Sequence, residues 1–518
     1  MLFNSYVFIF VFLPVVAVCF FLIARISRNT AAMFLAIVSF FFYGWWSPQY
    51  VLLLFASILV NFLLAGAIAN APVKPKWSRR RWILFIAISL NLALLAYYKY
   101  SNFFFSTVSY LSGSTNDFIA VVMPLGISFF TFTQIAFLVD TYQGKSSEPN
   151  FIHYCLFVTY FPHLIAGPIL HHSQMMPQFQ HAETYKFSSA NVSIGLAIFV
   201  IGLFKKVVIA DSLAPHSNTI FSLAASGQAL TFFDAWSGAL AYTLQLYFDF
   251  SGYSDMAIGI SRMFNVTLPL NFNSPYKATS IIEFWRHWHM TLSSFLRDYL
   301  YIPLGGGRKG TIYRYMNLMI TMLLGGLWHG AGWTFVLWGG VHGLYLVVNH
   351  AWRTCVAYCG LEGRPSTVTT RIAGRTITFL AVVFAWILFR SESLDAAVIM
   401  FRGMLGFTGV VLQAEWQSKL FLFSDVFNYL GINFGSVMSP ESVRALVWML
   451  PILVFCWLAP NTQEIMAGFR PALDFSEARA SSFIRWKPSL SWAFGIAILA
   501  VLSVLLITRK SEFLYFQF

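Results

Sequence analysis

The stretch Leu323-Leu-Gly-Gly-Leu-Trp-His329-Gly-Ala-Gly-Trp-Thr-Phe-Val-Leu-Trp338 sets one titratable histidine among leucine, glycine and tryptophan. A run this apolar belongs at membrane depth or in a protein core, where an ionisable ring is costly to keep. Histidine is also the side chain whose ordinary titration range suits proton transfer near neutral pH. The ring is either a core histidine bonded to a carbonyl or a group that works on a substrate. Gly325, Gly326, Gly330 and Gly332 leave backbone accessible around it, and a second histidine segment lies upstream; both favour the working group.

The composition outside this run agrees with a membrane setting. The chain has 518 residues, 58% of them hydrophobic, 18% aromatic and only 10% charged, with a mean hydropathy of +0.67. No soluble domain needs so much apolar surface, and about twenty apolar residues cross a bilayer as a helix. Hydropathy places spans near 7–24, 31–46, 51–69, 82–99, 119–139, 152–170, 190–210, 231–248, 316–328, 333–350, 372–389, 445–459 and 489–507. The expected fold is an all-α polytopic bundle of about 11–13 transmembrane or re-entrant helices. Residues 1–518 read as a single integral-membrane domain, with 407–444 the most plausible soluble excursion.

Charge gives the orientation. Arg25 and Arg28 follow the first span, so the positive-inside rule puts the N-terminus outside. The basic loop Lys74 to Arg81 returns to the cytoplasmic side after two more spans. A net charge of +13 therefore reflects topology and contact with anionic membrane lipid. No nucleic-acid-binding motif is present. Cys19, Cys155, Cys355, Cys359 and Cys456 form no CxxC pair, and His163, His171 and His172 lack metal-ligand spacing, so no metal is expected. There is no G-x-S-x-G elbow. Gly305-Gly-Gly-Arg-Lys-Gly-Thr311 is not a P-loop and reads as a cytoplasmic turn, or as a loop touching the phosphates of a nucleotide-bearing donor.

The upstream segment is Glu283-Phe-Trp-Arg-His-Trp-His289-Met-Thr-Leu-Ser-Ser-Phe-Leu-Arg297. As one helix it lines up Phe284, Trp288, Leu292 and Phe295 on an apolar stripe, and Arg286, His289, Ser293 and Arg297 on a polar face. His287 points elsewhere. Periodicity alone describes an ordinary interfacial amphipathic helix. Asp249 and Asp255, in the aromatic run 247–255, either position a substrate or a histidine, or form a helix-breaking turn with Ser251 and Gly252.

Together these blocks resemble the signature of the membrane-bound O-acyltransferase family, in its bacterial branch for secreted polysaccharides. The matching stretches are PLGISFFTFTQIAFLVDTYQG (124–144), FPHLIAGPIL (161–170), AYTLQLYFDFSGYSDMAIG (241–259) and the two histidine segments, covering residues 1–390; 391–518 match less well. The resemblance implies helices around a central reaction tunnel, His329 as the catalytic residue, and His289 lining the same tunnel. It also implies a cytosolic acetyl-CoA donor with no bound cofactor, and an extracytoplasmic polysaccharide acceptor such as alginate, cellulose or peptidoglycan. A separate esterase-like acetyltransferase is the implied partner, since this chain contains no such domain. Base catalysis by His329 suffices for direct transfer, with Trp328, Trp333 or His289 as candidate oxyanion donors, and Arg286, Arg297, Asp249 and Asp255 as further tunnel candidates. The tail Phe513-Leu-Tyr-Phe-Gln-Phe518 is either an interfacial aromatic anchor or, by the same resemblance, carries Tyr515 as a transient acyl acceptor. The rival class is a transporter or channel with a buried histidine pathway, though no inverted repeat is evident.

Overall fold

The computed structural model describes residues 1–72, 79–113, 120–360, 367–419, 424–429, 431–435, 439, 441–473, 475, 484–507 and 514. The expected all-α class holds. Among the described residues the only strands are Val410–Gln413 and Ile432–Gly435, a parallel pair in the register Val410↔Ile432 to Gln413↔Gly435. Both fall in the excursion expected over 407–444. Among the described residues four helical stretches, Pro48–Asn70, Arg79–Ser112, Ser189–Ala225 and Val368–Arg390, are long and apolar enough to cross a membrane. The chain divides into two compact units.

The first unit comprises Met1–Phe204, Ser251–Asn271 and Thr462–Thr508. Its helix starts carry side-chain caps: Ser27 Oγ accepts from the Thr30 N–H, and Asn150 Oδ1 from those of Ile152 and His153. Val11, Val15, Val18 and Leu22 stay exposed along the first helix, a face suited to acyl chains rather than water. Inside, Gly195 and Gly202 of Ser189–Phe204 lie against Gly259 and Gly252 so closely that a Cβ would sit 2.5 and 2.6 Å from their carbonyl oxygens. Small residues at such crossings replace the hydrophobic drive that lipid removes. Within the span expected over 119–139, residues 120–126 are not helical and the helix begins at Ile127, after Gly126 at φ +70°.

The second unit comprises Lys205–Phe250, Phe272–Asn461 and Arg509–Phe518. Its centre is a helical hairpin, Thr311–His329 and Trp333–Tyr358, matching the two spans expected there. Glycine brings the arms together: a Cβ on Gly326 would fall on the Phe335 carbonyl, and one on Gly339 would fall on that of Met322. Val368–Arg390 packs beside the hairpin and contributes Trp386 and Phe389 to its core.

Candidate active site

The segment expected as one helix is two. Ile281–His287 stops at Trp288, Met290–Leu296 begins afterwards, and His289 between them takes φ +43°, ψ +55°. This left-handed conformation costs a non-glycine residue on the order of 1 kcal/mol or more. The break separates residues that helical spacing would align. His289 is fully buried, while Arg286 and Arg297 are exposed, and Arg297 donates to Asp298 at 2.7 and 3.0 Å. The shared polar face expected of Arg286, His289 and Arg297 is therefore absent, for a backbone reason.

Turned inward, His289 meets Phe250 edge-on at 4.8 Å between ring centroids, Trp328 at 6.0 Å and His329 at 6.2 Å. His329 occupies the last position of Thr311–His329, and the chain then bends through Gly330, Ala331 and Gly332, with the Gly332 N–H donating to the Gly330 carbonyl at 3.1 Å. A Cβ on Gly330 would sit 2.2 to 2.6 Å from three carbons of the Phe335 ring, so a larger residue here would have to displace that ring. Around His329 stand Trp328 at 4.9 Å, Trp338 at 5.0 Å and Phe389 at 5.2 Å. Two imidazoles thus share one aromatic shell that excludes bulk water. Such a shell can hold a neutral base beside an apolar acyl group and a hydroxyl.

A third histidine belongs to the same shell and went unremarked in the sequence. His342 is wholly buried, with Trp338 at 4.8 Å and Trp285 at 5.1 Å, and the Trp285 Nε1–H donates to its Nδ1 at 3.3 Å. A signal was present: His342-Gly343 follows a Gly-Gly pair, as His329-Gly330 does, within the same stretch.

The other candidates lie elsewhere. Trp333 is 54% exposed. Asp249 and Asp255 sit in an uninterrupted helix, Phe232–Met263, so the helix-breaking turn is not formed. Asp249 is buried in an ion triad in which Lys206 Nζ reaches Asp249 Oδ1 at 2.5 Å and Asp211 Oδ1 at 2.7 Å, and it also accepts the Leu514 N–H at 3.4 Å. Asp255, in the first unit, accepts from Thr462 Oγ1 at 2.6 Å and Gln463 Nε2 at 3.0 Å. Both carboxylates thus hold protein groups. Tyr515 lies outside the described residues. Among the described residues no three His, Cys, Asp or Glu side chains come together as metal ligands.

Comparison with known proteins bears on the same region. The model of MBOAT, the membrane-bound O-acyltransferase family, matches residues 3–389. A peptidoglycan O-acetyltransferase of Helicobacter pylori is 42% identical over 80% of this chain and 81% of its own length. A probable alginate O-acetylase of Azotobacter vinelandii is 42% identical over the full length of both. A teichoic acid D-alanyltransferase of Bacillus subtilis is 28% identical over 52% of this chain and 69% of its own.

Proposed function

The chain belongs to the membrane-bound O-acyltransferase family, and from that premise we propose that it moves acetyl groups from cytosolic acetyl-CoA to an extracytoplasmic polysaccharide of the alginate or peptidoglycan kind. The observation that carries the reading is the pair His289 and His329, 6.2 Å apart between ring centroids and buried in one aromatic shell. The full-length likeness to a probable alginate O-acetylase and the likeness to a peptidoglycan O-acetyltransferase support the acyl group and the acceptor class.

In the proposed reaction His329 takes the proton of an acceptor hydroxyl as that oxygen attacks the thioester carbonyl. The C–S bond breaks, and the CoA sulfur leaves as a thiolate that recovers the proton from the imidazolium. The ring terminates a helix, where the carbonyl end of the dipole favours the positive charge it carries in between. His289 positions the reacting groups from the facing side. The acceptor hydroxyl is that of Tyr515, which then passes the acetyl group to a separate extracytoplasmic esterase-like transferase. Its neighbour Leu514 is 1% exposed and gives its N–H to Asp249, contacts that support this reading. The protein works in the bacterial inner membrane with its N-terminus in the periplasm.

The test uses purified full-length protein and acetyl-CoA radiolabelled in its CoA portion. Release of free CoA by the wild type, lost in His329→Ala, is the expected result. No release by the wild type, or equal release by the variant, overturns the reading.

A further inference from the structure

Trp338 stands between two histidines, with its ring 5.0 Å from His329 and 4.8 Å from His342. An indole N–H only donates, so the bond from Trp285 makes His342 Nδ1 the acceptor and leaves the neutral ring's proton on Nε2. Both that nitrogen and Trp338 Nε1 are buried with no hydrogen-bond partner among the described residues, in side chains 0% and 1% exposed. Native proteins seldom leave such donors unmet, and where they do the atom calls for an explanation.

We propose that His342 Nε2–H and Trp338 Nε1–H are a binding site for the carbonyl oxygen of the acyl donor, which makes His342 a third histidine of the reaction. The inference rests on the acetyl-CoA reading above. Two donors with no acceptor beside them suit an atom that only accepts. A thioester oxygen meets that requirement, because it accepts and carries no proton of its own. As the carbonyl becomes tetrahedral its oxygen gains negative charge, and preset donors then bind it more strongly than they bind the ground state. Trp285 is a positioning residue: it touches no substrate and acts by fixing the tautomer of His342.

The experiment measures binding of two dethia analogues of acetyl-CoA to the full-length protein in detergent. One keeps the carbonyl as a ketone and the other has a methylene in its place. The wild type should bind the ketone about tenfold more tightly, the worth of one to two neutral hydrogen bonds. His342→Leu and Trp338→Phe should each bring that ratio near unity without weakening the methylene analogue, and His342→Gln, which returns an N–H, should recover part of it. Equal binding of the two analogues by the wild type overturns the inference and leaves the donor reading intact. Binding of neither overturns both. If the variants lose both analogues equally, His342 and Trp338 serve packing alone and the inference falls; if they do not fold, the wild-type ratio decides.

Discussion

His289 and His329 hang from different helices, yet their rings lie 6.2 Å apart, the former turned inward by a backbone that a histidine rarely adopts. The two rings sit in one shell but on different backbones, so they should fail differently when removed.

His329→Ala should lower acetyl transfer by about two to four orders of magnitude, the usual loss of a general base. The variant should still be extracted as a folded protein with a melting profile near that of the wild type. Wild-type-like acetylation of polymer in cells making normal amounts of the variant would remove His329 from the chemistry.

His289→Ala should cost at least about tenfold in turnover, and His287→Ala much less, since only the former ring is fully buried against His329. Turnover of radiolabelled acetyl-CoA by the two variants, side by side, checks the order. The reverse order would contradict the role given to the backbone break.

Gly339→Ala and Gly340→Ala differ by one position and should differ sharply in yield. A methyl on Gly339 would strike the Met322 carbonyl, whereas one on Gly340 would make ordinary contact with Leu323 Cδ2 at 3.5 Å. Forcing the hairpin arms apart should destabilise the first variant by about 1–3 kcal/mol or more. Thermal unfolding in detergent compares the two.

Lys206→Met should be among the most damaging changes outside the histidine shell. It leaves Asp211 and Asp249 buried without the cation that both approach within 2.7 Å. Removing one partner of such a group costs about 3–5 kcal/mol. The double variant Lys206→Met/Asp249→Asn should recover stability, measured by the same melts, because one of the two stranded charges is gone.

Tyr515→Phe keeps an aromatic side chain and deletes one hydroxyl. If Tyr515 accepts the acetyl group, cells carrying the variant should make polymer without acetyl esters while the protein still reaches the membrane. Acetylation at the wild-type rate would make the tail an anchor only.

Hydropathy made most of the helices legible, because lipid imposes length and apolarity on any crossing element. The hairpin around His329 was readable for the same reason, with its glycines marking the turn. The break at His289 was not: Glu283 to Arg297 contains neither Gly nor Pro, and its helical periodicity runs through Trp288 without a fault. Tertiary packing of Trp288 and His289, both buried, overrides that local pattern. Asp249 and Asp255 were ambiguous because an acidic residue in an apolar run looks alike whether it serves a substrate or a lysine far away in sequence. His342 sat in plain view beside Gly343, but its meaning depends on Trp285, which only the folded chain brings within 3.3 Å.

The crowding of tryptophan around the histidines also gives the protein an optical signature. Trp338 and Trp386 stack with centroids 5.7 Å apart and planes inclined by 16°, and Trp288 adds a third indole 4.9 Å from Trp386. Indoles this close couple their electronic transitions, and near-ultraviolet circular dichroism reports such fixed packing. Occupation of the shell by a donor would then register as a change in the protein's own spectrum, so binding could be followed without label, product or partner.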